Sequence, residues 1–178
     1  MDATHLHLVL THFPIVGILI GIGVLAYAYY VKNEAVTKAA LLVFIAMAII
    51  TIPVFLTGGE AEESVEHLAG VSEDIMEEHE ELAEKAIWMM GLLGLVSLAG
   101  FYALLKGLSM AKNIILGVLI LSLATFGVFT SVGNLGGQIR HSEIRDGNSS
   151  GGERHGEKRG DHDDDDDHDD DDDDDHDD

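Results

Sequence analysis

The chain has 178 residues, no cysteine and a formal net charge of −22 at pH 7, but 15 Asp and three His of that composition lie in Asp161–Asp178 alone. Outside this tail 17 acidic residues stand against 10 basic ones, which leaves about −7 for the rest of the chain. The lack of cysteine excludes disulfides, iron–sulfur clusters, thiolate zinc sites and cysteine-attached haem. The lack of a basic patch argues against any nucleic-acid partner.

Four apolar runs organise the sequence: Val9–Val31, Ala39–Thr57, Ala86–Leu105 and Asn113–Gly133, none with an Asp, Glu, Lys or Arg. Each approaches the ~20 residues a helix needs to cross ~30 Å of hydrocarbon. The segment before the first run, Met1–His7, has no positive n-region, and no small-residue cleavage site follows. A retained transmembrane helix is expected there rather than a signal peptide. The fold expected is all-α, an integral membrane four-helix bundle over residues 1–145, followed by a disordered Asp/His-rich tail over 146–178 that is too polar to bury a core.

In chain order, the first helix should begin near Thr4. A periodicity drawn through Leu8, Val9, Ile15 and Val16 turns His5 and His12 into the bundle and leaves His7 solvated. Pro14 denies the carbonyl of Leu10 its N–H and makes a kink beside His12 plausible. The Lys32–Lys38 connection follows. After the second run, Thr57-Gly58-Gly59 is expected to break the helix. Glu60–Leu68 then forms a short extramembrane helix, ended by Gly70. Ser72 is the expected N-cap of a long third helix through Leu105, with Glu73 and Asp74 in its first turn. On it His79 shares a stripe with Ile75, Leu82, Ala83 and Ala86, pointing inward. After the fourth run, Gly133–Gly137 reads as a turn that lets His141 fold back over the mouth. Glycines 17, 21, 91, 94, 100, 117 and 127 suit either close helix packing or room for a flat cofactor.

The lysines of the two short connections, Lys32, Lys38, Lys106 and Lys112, oppose a central loop of 11 acidic residues and one Lys between Gly58 and Lys85. Positive-inside reasoning places the lysines in the cytoplasm, with both termini and the acidic loop outside. Arg140 and Arg145 run against that assignment.

An imidazole at membrane depth is costly unless paired, so an intramembrane histidine is a functional candidate. His12, His79 and His141 are candidate cofactor ligands, each weighed against a purely structural hydrogen-bonding role. Glu60, Glu63 and His67 share one helical face and are the candidate metal ligands, weighed against a solvated face. Di-iron Glu-x-x-His pairs are missing, because Met76 and Ser64 occupy the positions three before His79 and His67. The His-Glu-x-x-His zinc motif is also missing, since Ala83 closes His79-Glu80-Glu81-Leu82. Non-covalent haem b between two imidazoles, or a divalent transition metal on His and carboxylate ligands, remains. The tail offers weak, unselective cation binding or simple solvation.

These residues resemble a bacterial family of four-helix membrane proteins of unknown function. His7-Leu8-Val9-Leu10-Thr11-His12-Phe13-Pro14-Ile15 is similar to its opening H-x-x-x-V-H-F-P-I. Thr57–Leu68 resembles its T/S-G-x-x-A-E-E-x-V-E-H segment, and His79-Glu80-Glu81-Leu82-Ala83 its H-E-x-A stretch. Gly136-Gly137-Gln138-Ile139-Arg140-His141 resembles its closing G-G-x-L-V-x-x-H, with Ile139 and Arg140 where Leu and Val are usual. Some members have been proposed to bind haem b, which implies His12, His79 and His141 as ligands, with His67 as a further one. The function expected is electron transfer through one haem b at the outer end of the bundle, rather than catalysis. The alternatives are a non-haem metal-handling protein and a cofactor-free scaffold. The lipid bilayer of a bacterial inner membrane and a redox protein on the side of the termini are the expected partners, and self-association into a homo-oligomer is left open.

Overall fold

A computed structural model describes residues 3–68 and 71–139. Four helices account for nearly all of them: α1 (Ala3–Val31), α2 (Glu34–Val65), α3 (Glu73–Leu105) and α4 (Ala111–Gln138). Each is long and apolar enough to cross a bilayer. At 1.5 Å per residue the 33 residues of α3 extend ~50 Å, more than the hydrocarbon requires, so its acidic first turns project beyond the apolar zone.

Two elements differ from expectation. Gly58 and Gly59 do not break the second helix; α2 continues through them to Val65, so the expected extramembrane helix is its extension. Likewise α4 passes through Gly133, Gly136 and Gly137 to Gln138 without a turn. A glycine costs a helix only ~1 kcal/mol relative to alanine, which packing and the cooperativity of a long helix offset. The expected helix start at Ser72 holds. Ser72 takes an extended conformation before Glu73, and its N–H donates to Ile139 O (3.3 Å), tying the head of α3 to the end of α4. His141 and the Asp/His tail lie outside the described residues.

The connections at the lysine end are tight. Lys32 takes a positive φ of 52°, and Asn33 Oδ1 accepts from the N–H groups of Ala35 and Val36, capping α2. Gly107, at φ 63°, supplies the left-handed residue that ends α3. Neighbours in sequence pack together, and α1 packs against α4, so the helices form a closed ring with α1 and α3 on one diagonal and α2 and α4 on the other.

Inside the ring the packing residues recur at heptad spacing. Pro14, Ile18, Gly21, Leu25 and Ala28 of α1 are buried, as are Thr37, Leu41, Phe44, Thr51 and Val54 of α2. Ala86, Met90, Leu93, Ser97 and Gly100 continue the pattern on α3, with Val118, Ser122, Thr125 and Phe129 on α4. The small residues mark where backbones approach. A Cβ on Gly21 would stand 2.5 Å from Phe44 Cε1, and one on Gly94 2.5 Å from Ala48 Cβ. These glycines are filled by neighbouring side chains, so their role is helix packing and not a slot for a flat cofactor. The buried hydroxyls of Thr51, Ser122 and Thr125 return to carbonyls of their own helices.

The outside is the reverse of a soluble protein's. Leu19, Ile20, Ile49, Leu56, Leu95, Ile120 and Leu123 are more than half exposed along all four helices. A belt this size is far beyond the apolar patches that soluble monomers expose. Tyr27, Tyr29 and Tyr30 gather near the lysine end and Trp88, 75% exposed, near the acidic end, as residues at lipid–water boundaries do. The chain is a multi-pass membrane protein.

Candidate functional site

The heptad seam continues upward into the acidic end, and there it changes chemistry. On α1, seven residues before Pro14, the seam position is His7; on α3, seven before Ala86, it is His79. On α2, seven after Thr51, it is Gly58, and on α4 the positions seven after Thr125 and Phe129 are Val132 and Gly136. The top layer of the bundle is therefore two imidazoles on one diagonal and two glycine-bearing backbones on the other.

Each ring is held by the helix beside it. His7 Nδ1 lies 3.0 Å from Val54 O and 3.3 Å from Thr57 Oγ1 on α2. His79 Nδ1 lies 3.0 Å from Val132 O on α4. A carbonyl oxygen can only accept, so in both rings Nδ1 carries the proton and donates. That fixes Nε2 as the bare nitrogen, with a lone pair free to accept or to bind a metal. Neither Nε2 has a hydrogen-bond partner among the described residues. Both rings are half-buried.

The glycines make room for this. A Cβ on Gly58 would meet His7 Cε1 at 3.4 Å, and a Cβ on Gly136 would meet His79 Cε1 at 3.2 Å and Nδ1 at 3.5 Å. A Cβ at Gly136 would press on the His79 ring, and one at Gly58 would just touch that of His7; each imidazole lies against the neighbouring helix and reaches its carbonyl. One turn above Gly58, the half-buried Glu62 feels the charge of Glu80, so carboxylates rim the layer. Higher still, Thr4 Oγ1 and Ser64 Oγ hydrogen-bond at 2.5 Å and join α1 to the end of α2.

The structure thus redistributes the sequence candidates. His79 is inward, as its stripe implied. His12 is not: its ring is exposed, and Nδ1 turns back to Leu8 O of its own helix at 2.8 Å. His5 is exposed too, and the solvated role expected for His7 is overturned by its burial and its bonds to α2. Leu8, Val9 and Val16, used to define the inner face of α1, are about half exposed and face lipid. In a membrane both faces of a helix are apolar, so hydrophobic periodicity alone does not tell inside from outside. The small or compact residues Pro14, Gly21 and Ala28 carry that signal, and projecting their seven-residue spacing backwards finds His7.

Glu60 and Glu63 are exposed on the extension of α2, and His67 is exposed in the turn that follows it. Among the described residues no group of three His, Asp or Glu side chains is placed to hold a metal ion. Comparison with protein-family models, with curated proteins and with solved structures finds no match for this chain.

Proposed function

We infer that this protein is an electron-transfer membrane protein that binds one haem b at the acidic end of its bundle through His7 and His79. The observation that carries the reading is the pair of oriented rings, both with Nδ1–H committed to a backbone carbonyl and Nε2 bare. This is the arrangement by which proteins fix the tautomer and direction of a metal-binding imidazole. The number of ligands favours haem over a bare ion. A zinc or copper site needs three or four protein donors, and among the described residues no three His, Asp or Glu side chains are grouped to hold one. A porphyrin brings four nitrogens of its own and asks the protein for one or two axial ligands.

Bound haem would supply reversible one-electron chemistry. The residues of this chain orient it and set its surroundings: Val54 and Val132 hold the rings, Gly58 and Gly136 give them space, and the carboxylates around Glu62 and Glu80 favour the more positive oxidised state. With Lys32, Lys38, Lys106 and Lys112 at the opposite end, the positive-inside rule puts this site on the outer face of a bacterial inner membrane, where electrons would pass to a carrier protein. Among the described residues no histidine lies at the lysine end, so the reading is of one haem and not of a conduit across the bilayer. The test is the optical spectrum of protein purified in detergent after expression with haem supply. A Soret band that sharpens and shifts on reduction is expected, and both His7→Ala and His79→Ala should diminish it. A folded, haem-supplied protein without a Soret band would refute the reading.

A further inference from the structure

Beside the His79 layer, on the outer flank of the α3–α4 seam, runs a groove of about 440 Å³ lined by Glu78, Leu82, Thr130, Ser131, Asn134 and Leu135. We propose that this groove seats the ring of a membrane-soluble hydroquinone, the electron donor to the site. The electron-delivery step rests on the cofactor reading above; the binding step does not.

Three features select this ligand. The first is depth. Glu78 is eight residues, ~12 Å, above Ala86, where the apolar span of α3 begins, so the groove lies at headgroup level. A lipid-dissolved molecule with a polar ring reaches such a position from the side. The second is chemistry. Leu82 and Leu135, half-buried, form an apolar floor, while the carboxylate of Glu78, the amide of Asn134 and the hydroxyl oxygens of Thr130 and Ser131, whose own protons go to Gly127 O, supply mainly acceptors along its rim. A flat ring with two phenolic O–H groups matches both parts. No cation lines the groove, so a phosphate headgroup has nothing to hold it, and Glu78 would repel it. The third is adjacency. Glu78 directly precedes His79, and Leu135 precedes the Gly136 that packs against the His79 ring. The volume is within the range of small-molecule sites, and the groove is shallow and largely open on its outer side, so a ring would lie against it rather than be enclosed.

Oxidation of one hydroquinone breaks two O–H bonds and gives a quinone, two electrons and two protons. With haem held by His7 and His79, the two electrons would be accepted there one at a time and passed on to the one-electron carrier protein on the same face. The first proton goes to the Glu78 carboxylate and the second to water at the open rim.

The experiment uses the full chain in phosphatidylcholine nanodiscs with a short-tailed benzohydroquinone kept reduced under argon. Equilibrium binding should saturate at about one per chain. Ser131→Phe, at an exposed position, should fill the groove and abolish binding, and Glu78→Gln should weaken it about tenfold or more. In haem-loaded protein, Glu78→Gln should slow reduction by hydroquinone by a similar factor, with the Soret band and reduction by dithionite unchanged. Absence of saturable binding, or binding indifferent to Ser131→Phe, overturns the proposal. So does full displacement by phosphatidylethanolamine, which would assign the groove to an ammonium headgroup. Saturable binding to a protein with no Soret band keeps the groove and refutes the haem; a Soret band without binding does the reverse.

Discussion

Adding one methyl group at Gly136 separates stability from ligand geometry. In Gly136→Ala the new Cβ would stand 3.2 Å from His79 Cε1 and 3.5 Å from Nδ1. To regain ordinary contact the ring must retreat by a few tenths of an ångström, which stretches its 3.0 Å bond to Val132 O. Replacing a helical glycine by alanine stabilises by ~1 kcal/mol, and weakening a neutral hydrogen bond costs ~0.5–1.5 kcal/mol. The two nearly cancel, so resistance to SDS unfolding should change by less than about 1 kcal/mol. The direction of Nε2 changes all the same, and the haem retained through purification should fall. Gly136→Leu, too large for any such retreat, should expel the ring and leave no more haem than His79→Ala. Gly127→Ala is the control: nothing lies within 4 Å of its Cβ, so it should gain stability and keep its haem. Full haem content in Gly136→Leu would show that His79, as placed here, is no ligand.

His12→Ala should leave both the Soret band and the SDS midpoint near those of the parent, because its ring is exposed and bonded only to its own helix. His7→Ala should lose haem, and equal losses in the two variants would contradict the assignment of inner and outer faces on α1. Gly94→Ala should destabilise by about 1–3 kcal/mol in an SDS titration, since its Cβ meets Ala48 Cβ at 2.5 Å and neither atom has a rotamer to escape into. Gly91→Ala, with open space at its Cβ, should instead stabilise, and a reversed order would refute the α2–α3 packing.

Number, type and approximate length of the helices were legible because four uncharged runs of membrane length admit little else. The α2 and α4 extensions were not, because the ~1 kcal/mol that a glycine costs is too little to end a long, cooperative helix. At the site, His79 was legible because the projecting part of α3 alternates Glu with apolar residues, so the amphipathic rule for water applies to it. His7 and His12 sit on a helix with no polar face after its first turns, where that rule has nothing to grip. The usable signal was the size of side chains, not their hydropathy. The carbonyls of Val54 and Val132 carry no mark in any sequence pattern, since every residue has one; only the fold shows which are within reach of a ring.

At the lysine end, two short connections hold the helices as covalent pairs, whereas at the acidic end the α2–α3 link is the one covalent connection, helped by the hydrogen bonds of Ser72 to Ile139 and of Thr4 to Ser64. A ligand gripped by both His7 and His79 would bridge α1 to α3 across the diagonal, and through their carbonyl anchors draw in α2 and α4. It would close the loose end of the barrel like a clasp. Occupancy and mechanical integrity would then be one property, with the filled protein outlasting the empty one in harsh detergent by an amount that grows with ligand concentration.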